Sequence, residues 1–246
     1  MPEALVLLLA ASATALATGL GAIPVFLFGP RTDRFTPLLL GFAGGVMAVA
    51  ALSGLLVPAF EEGGAGLVIA GLAVGVGFLA LARRNLSADA TFMGRSGPGA
   101  RSSALVFLVL FLHSLPEGLA VGTAFASDRT DLSLFVIVAI AIQNVPEGTS
   151  VAIPMQEAGF GAARQFWAAV GTSAPQPAGA LIAFFAVEEV GGLLPLSFAF
   201  AAGAMLALIA VEILPKAYSG ASPLSPSVGF AAGAFLMLAL GFALGV

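Results

Sequence analysis

His113-Ser114-Leu115-Pro116-Glu117-Gly118 and Gln143-Asn144-Val145-Pro146-Glu147-Gly148 lie thirty residues apart, each inside a long apolar run. Both read polar-x-x-Pro-Glu-Gly, and the first holds the only histidine of the chain. A carboxylate at bilayer depth costs about 3 kcal/mol or more, so an ionisable residue inside an apolar span marks a functional site by default. Two such residues, with a histidine and a glutamine at the same relative place, make these motifs the centre of the reading.

The surrounding composition decides what kind of chain carries them. Of 246 residues, 59% are hydrophobic and only 9% are charged, against roughly 25% charged in a soluble domain. Such a chain cannot cover itself in water, so an all-α polytopic membrane protein is expected, with the lipid bilayer as its surroundings. Its 31 glycines and 15 prolines suit helices that approach closely and break on purpose. There is no cysteine, hence no disulfide framework and no thiolate metal site. No nucleic-acid partner and no prosthetic group are expected.

A spanning helix needs about 20 apolar residues, and eight segments qualify: 3–28, 36–60, 64–82, 102–127, 132–155, 162–187, 192–218 and 226–246. The first is read as a helix and not as a removed signal peptide. One domain over residues 1–246 follows, with a polar loop over 83–101 that is expected to be mobile. Arg31, Arg34, Arg83, Arg84, Arg95, Arg101, Arg164 and Lys216 all fall on one side of this arrangement, and only Arg129 on the other. Basic residues stay in the cytoplasm, so both termini are expected to be extracytoplasmic. The outer side then collects Glu3, Glu61, Glu62, Asp128, Asp131, Glu188 and Glu189. These are either solvated loop ends or an acidic mouth that concentrates cations.

An internal repeat is visible. Phe42-Ala43-Gly44-Gly45-Val46-Met47 followed by Pro58 resembles Phe200-Ala201-Ala202-Gly203-Ala204-Met205 followed by Pro215. The second and seventh segments run in opposite senses, as in inverted-repeat transporters. Small-residue membrane helices also look alike, and the eighth segment carries Phe230-Ala231-Ala232-Gly233. If the repeat holds, the helices fall into a 3+2+3 arrangement with segments 4 and 5 on the pseudo-axis.

On a helix, His113 and Glu117 share a face, and so do Gln143 and Glu147. Pro116 and Pro146 lack an N–H, which leaves the carbonyls of Leu112 and Ile142 unpaired and is expected to open each helix there. Gly118 and Gly148 remove bulk beside each carboxylate. One imidazole, two carboxylates and an amide oxygen suit zinc and its borderline neighbours iron, manganese and cadmium. The bland alternatives are a hydrogen-bonded packing histidine and a simple proline kink.

Eight helices, HSLPEG in the fourth and QNVPEG in the fifth resemble the ZIP (Zrt/Irt-like) divalent metal transporters, in their GufA-like bacterial branch. The resemblance covers essentially the whole chain. It implies a homodimer in the bacterial inner membrane that moves divalent metal, chiefly zinc, into the cytoplasm by alternating access. Segments 1, 4, 5 and 6 would move as a unit against 2, 3, 7 and 8. By position, His113, Glu117, Gln143 and Glu147 match the primary metal site. Many relatives carry a second, adjacent site with charged ligands. Here the matching positions are the neutral Ser114, Asn144 and Gln176, so one occupied site is expected, with these three as secondary or pathway groups. Glu212, near the cytoplasmic end of the seventh segment, is read either as an exit-path carboxylate or as an ion pair with Lys216. Two other classes remain open. One is a proton-coupled carrier of a small organic substrate with the glutamates as proton relays. The other is an intramembrane metalloenzyme, against which the lack of a His-Glu-x-x-His motif counts.

Overall fold

The computed structural model describes residues 2–84, 86, 91–220 and 222–246. Eight helices are long and apolar enough to cross a bilayer: α1 (Glu3–Phe28), α2 (Arg31–Glu62), α3 (Ala65–Arg84), α4 (Pro98–Phe125), α5 (Thr130–Glu157), α6 (Ala162–Glu189), α7 (Gly191–Ala217) and α8 (Leu224–Leu244). The chain is a mostly helical, multi-pass membrane protein, as its apolar runs require. The helix ends extend beyond the sequence estimate where a proline sits in the first turn. Pro98, for example, starts α4 because a first-turn residue has no need of an N–H partner.

Small residues set the packing. α2 lies against α8, where Gly41 and Gly45 meet the carbonyls of Pro226 and Phe230, and Gly229 and Gly233 meet those of Leu38 and Phe42. α3 lies against α7 in the same way, with Gly75 on the Phe200 carbonyl and Gly203 on that of Leu72. Lipid tails are as apolar as leucine, so close backbone approach is what makes such helices associate. α4 packs on the second half of α6, and α5 on α1. Both contacts run through the motif glycines. A Cβ on Gly118 would lie 2.2 Å from the Gln176 carbonyl oxygen, and one on Gly148 only 1.7 Å from that of Thr18. Gly118 and Gly148 therefore do more than clear space beside a carboxylate: they seat the backbones of α6 and α1.

The helix irregularities fall elsewhere than expected. α4 and α5 continue as α-helix through Pro116 and Pro146, so neither proline opens its helix. The tight flanking contacts of α1 and α6 hold each helix in line across the missing hydrogen bond. The breaks occur in those neighbours instead. α1 turns at Gly21, and α6 is interrupted at Ser173–Ala174, immediately before Pro175. Ala174 itself keeps helical dihedrals, φ −57° and ψ −30°, so the break follows from Pro175 having no N–H to continue the hydrogen-bond ladder. α2 and α7 each contain a π-helical turn, Leu52–Leu56 and Ile209–Ile213, which ends two residues before Pro58 and Pro215. In both, the N–H closing the turn reaches five residues back, from Val57 to Leu52 and from Leu214 to Ile209.

The connection between α3 and α4 also departs from expectation. Within the loop read as mobile, β1 (Thr91–Phe92) pairs antiparallel with β2 (Arg95–Ser96). Met93 and Gly94 take the positive φ that a two-residue hairpin turn demands. The Arg95 guanidinium donates to the Ala158 carbonyl at 2.9 Å and lies over the Phe160 ring, while Phe92 packs on Phe107 and Phe160. Aromatic packing and one charged donor thus fasten the hairpin beside the α5–α6 turn. Residues 85 and 87–90 of that loop lie outside the described residues.

The glycine contacts give a direct test. Gly148→Ala must displace the α1 backbone and should lower the melting temperature of the detergent-solubilised protein, at an overpacking cost of about 1–3 kcal/mol. Gly66→Ala, where a Cβ meets nothing within 4 Å, should melt like the parent.

Candidate metal site

α4 and α5 bring the two motifs together at mid-span, where no solvent reaches. Glu117 and Gln143 are 0% exposed, and His113 and Glu147 2%. The carboxyl groups of Glu117 and Glu147 stand close enough to hydrogen-bond. The Gln143 amide donates from Nε2 to Glu117 Oε1 at 2.8 Å. The opposite oxygen, Glu117 Oε2, accepts from Gln176 Nε2 at 2.7 Å. Gln176 belongs to the first turn after the α6 break, so the break delivers this amide to the carboxylate.

What is left without a partner is as informative. Among the described residues, the buried side-chain atoms with no hydrogen bond are His113 Nδ1 and Nε2, Gln143 Oε1, Glu147 Oε1, Gln165 Oε1 and Glu212 Oε2, the last of which is held instead by an ion pair. Leaving such an atom unsatisfied costs about 1–3 kcal/mol. Four of the six lie on His113, Gln143 and Glu147, so the orphaned donors gather on three of the four residues singled out from the sequence. Among the described residues no three His, Cys, Asp or Glu side chains form a closed cage. His113, Glu117 and Glu147 are therefore not gathered into a metal-holding group in this state.

The secondary candidates separate. Asn144 and Gln176 join the site through hydrogen bonds to each other and to Thr14 of α1. Ser114 does not, because its hydroxyl donates back to the Leu110 carbonyl of its own helix. Glu212, carried on the π turn of α7, pairs with Arg83 of α3 at 3.1 Å, so its ion-pair partner is Arg83 and not Lys216. Thr14 was missed. It is an ordinary threonine in an apolar run, and nothing in a single sequence says that α1 crosses α5 at that height.

Two cavities lead from the site toward the end of the bundle opposite the termini. A narrow one of about 20 Å³, room for a water or a small ion, is lined by Glu147, Ser150, Glu212 and Lys216 among others. A second, of about 210 Å³, shares Val106, Ser150 and Lys216 with it and adds Asp33 and Glu157. Toward the other end the path is closed. Along α4, Ala120, Val121 and Ala124 are fully buried, and along α5 so are Phe135, Ala139 and Ile140. Beyond that seal lies a pocket of about 670 Å³ lined by Glu3, Asp128 and Glu188. The acidic residues of that end therefore divide. Three converge on a pocket, while Glu61 and Asp131 pair with Arg129 at 3.1 and 3.5 Å.

The family model for the ZIP Zinc transporter matches residues 93–244, which includes both motifs. The zinc transporter GufA of Myxococcus xanthus is 34% identical over 241 residues, covering 93% of this chain and 95% of that protein. The chain belongs to the ZIP family. Zinc transporter ZIPB of Bordetella bronchiseptica is 31% identical over 248 residues, covering 93% of this chain and 78% of that protein. A plant relative from Arabidopsis thaliana is 34% identical over 214 residues, 86% of this chain, and the chain spans about a third of its length. ZIP proteins are membrane transporters and not enzymes, which removes the metalloenzyme reading.

The one-sided access can be measured, because the chain has no cysteine. Ser150→Cys should react with a small water-soluble thiol reagent in zinc-free membranes, and Val121→Cys should not. Equal labelling of both would contradict the closed seal.

Proposed function

We propose that this protein carries divalent metal, zinc first, into the cytoplasm through a site between α4 and α5 formed by His113, Glu117, Gln143 and Glu147. The observation that carries the reading is the cluster of unpartnered atoms. An imidazole, an amide oxygen and a carboxylate oxygen are each buried on α4 or α5 without a hydrogen-bond partner, and a second carboxylate, Glu117, is buried on α4. Imidazole and carboxylate oxygen are zinc ligands, and two carboxylates balance a divalent charge. Iron, manganese and cadmium fit the same donors, and the ion is substrate, not cofactor. The zinc transporters named among the relatives support zinc.

The transport cycle we infer is alternating access of the elevator kind. α1, α4, α5 and α6 form the moving group, because Thr14, Glu117, Gln143, Asn144 and Gln176 tie these four helices by buried hydrogen bonds. α2, α3, α7 and α8 form the other, as a pair of glycine-packed layers. This grouping fits a 3+2+3 inverted repeat. The π turn and proline recur in α2 and α7, α2–α8 packing corresponds to α7–α3, and α5–α1 corresponds to α4–α6. We read residues 1–246 as one domain in the bacterial inner membrane, with termini outside, on the strength of the eight basic residues at the opposite end. The homodimer rests on family resemblance. Glu212 lines the exit cavity and is placed there on the inward path.

Proteoliposomes loaded with a zinc-sensitive dye test the proposal. Saturable zinc entry is expected, and it should fall to the empty-liposome level in Glu117→Ala/Glu147→Ala. Entry should also weaken from about pH 7.5 to about pH 5.5, since the carboxylates must be free of protons to bind metal, so added protons compete. Undiminished flux in the double variant would remove the site assignment. Flux of an organic solute in its place, unaffected by zinc, would favour the proton-coupled carrier.

A further inference from the structure

Basic and apolar residues share a groove of about 440 Å³ between the last turns of α1 and the first turns of α2. Pro24, Phe28, Phe35 and Leu39 form its apolar wall, and Arg31 and Arg34 bring the charge. Among the described residues neither arginine makes an ion pair, whereas Arg83 and Arg129 each do and Arg95 holds the Ala158 carbonyl. The intervening acid does not neutralise them. Asp33 lines a different cavity, with Glu157 and Lys216, and accepts from the Thr36 hydroxyl at 3.5 Å. Thr32 also lines the groove, but its hydroxyl is taken by the Gly29 carbonyl at 2.7 Å. The guanidinium groups are thus the open side-chain donors of the groove. That of Arg34 lies over the Phe35 ring, 4.7 Å from its centroid, an arrangement that fixes a cation without cancelling its charge. Beside the groove Leu27 and Phe28 are exposed, as suits a face that meets lipid.

We propose that this groove seats one anionic phospholipid, its phosphate on Arg31 and Arg34 and part of one acyl chain along Pro24, Phe28 and Leu39. The arginines stand where one span ends and the next begins, which is headgroup depth, and basic pockets between membrane helices at that depth take acidic headgroups. A guanidinium meets two phosphate oxygens at once, which an ammonium cannot do. A free anion would satisfy the arginines but leave the apolar wall bare, and a neutral lipid would cover the wall but leave two positive charges unbalanced. A zwitterionic lipid carries its own cation beside the phosphate and gains less. The proposal is separate from the metal site and stands or falls without it.

Native mass spectrometry of the purified full-length protein tests it, with phosphatidylglycerol or phosphatidylcholine of the same acyl chains titrated into the detergent. The parent should hold one phosphatidylglycerol about tenfold more tightly than phosphatidylcholine, the scale that two basic groups set for an acidic headgroup. Arg31→Gln/Arg34→Gln should lose that preference. Arg84→Gln/Arg164→Gln, which removes the same charge from two exposed arginines outside the groove, should keep it. Leu39→Trp crowds the wall without touching either charge and should weaken phosphatidylglycerol binding. Inorganic phosphate at millimolar concentration should not displace the lipid. Equal binding of the two lipids by the parent overturns the proposal, and so does a preference that survives in Arg31→Gln/Arg34→Gln. Equal loss in Arg84→Gln/Arg164→Gln would reduce the effect to net charge and overturn the site. Displacement by phosphate would make it a simple anion site, and full binding by Leu39→Trp would remove the acyl-chain seat; either result overturns the assignment.

Discussion

A carboxylate buried in a bilayer without a permanent counter-charge is the constraint on which this molecule turns. Glu117 is fully buried and, among the described residues, makes no ion pair. It has two amide N–H groups, one on each oxygen. Such charge-assisted bonds are roughly twice as strong as neutral ones, yet they leave the net charge in place. Supplying the second amide requires α6 to arrive at the right height, and Thr14 of α1 fixes that amide's orientation. The polar core dictates where two neighbouring helices cross.

Those crossings are made possible by the residue following each carboxylate. Gly118 and Gly148 admit the backbones of α6 and α1 to distances no side chain would permit. In Pro-Glu-Gly the glutamate supplies chemistry and the glycine supplies contact. The proline is carried without a break because the seated neighbours hold the helix straight. The same use of glycine joins α2 to α8 and α3 to α7, where no charge is involved. Close packing is the general solution in this fold, and the motifs are the places where it is combined with buried polar side chains.

Much of this was legible in the sequence because the physics of a bilayer is one-dimensional. Apolar runs of sufficient length become helices, and a histidine or glutamate within one stands out at once. His113, Glu117, Gln143 and Glu147 were singled out in this way, and each of the four is buried. What depends on neighbours distant in sequence was not legible. Thr14 gains its role only from the height at which α1 crosses α5. Glu212 meets Arg83 because a π turn redirects it across to α3, while Lys216 had looked like its partner from spacing alone. Ser114 sits beside the site in sequence and bonds back to its own helix. The hairpin at Thr91–Ser96 escaped notice because two-residue strands leave almost no periodicity to read.

The placement of the polar bonds has a mechanical consequence. Within the bundle, hydrogen bonds knit α1, α4, α5 and α6 to one another, whereas their common face with α2, α3, α7 and α8 is a cluster of Val46, Met47, Val121, Phe135, Phe198 and Met205 and similar residues. Among the described residues, Thr123–Ser197 and the Thr32 hydroxyl on the Pro24 carbonyl are the part-buried side-chain hydrogen bonds that cross it, and Glu61–Arg129 crosses at the exposed rim. Dispersion and apolar contact are non-directional. A small shear along this face exchanges one methyl neighbour for another and strands few buried polar groups. The seam resists separation far more than it resists sliding, so stiffness in this protein is anisotropic and its soft direction is set by where the hydroxyls and amides are not.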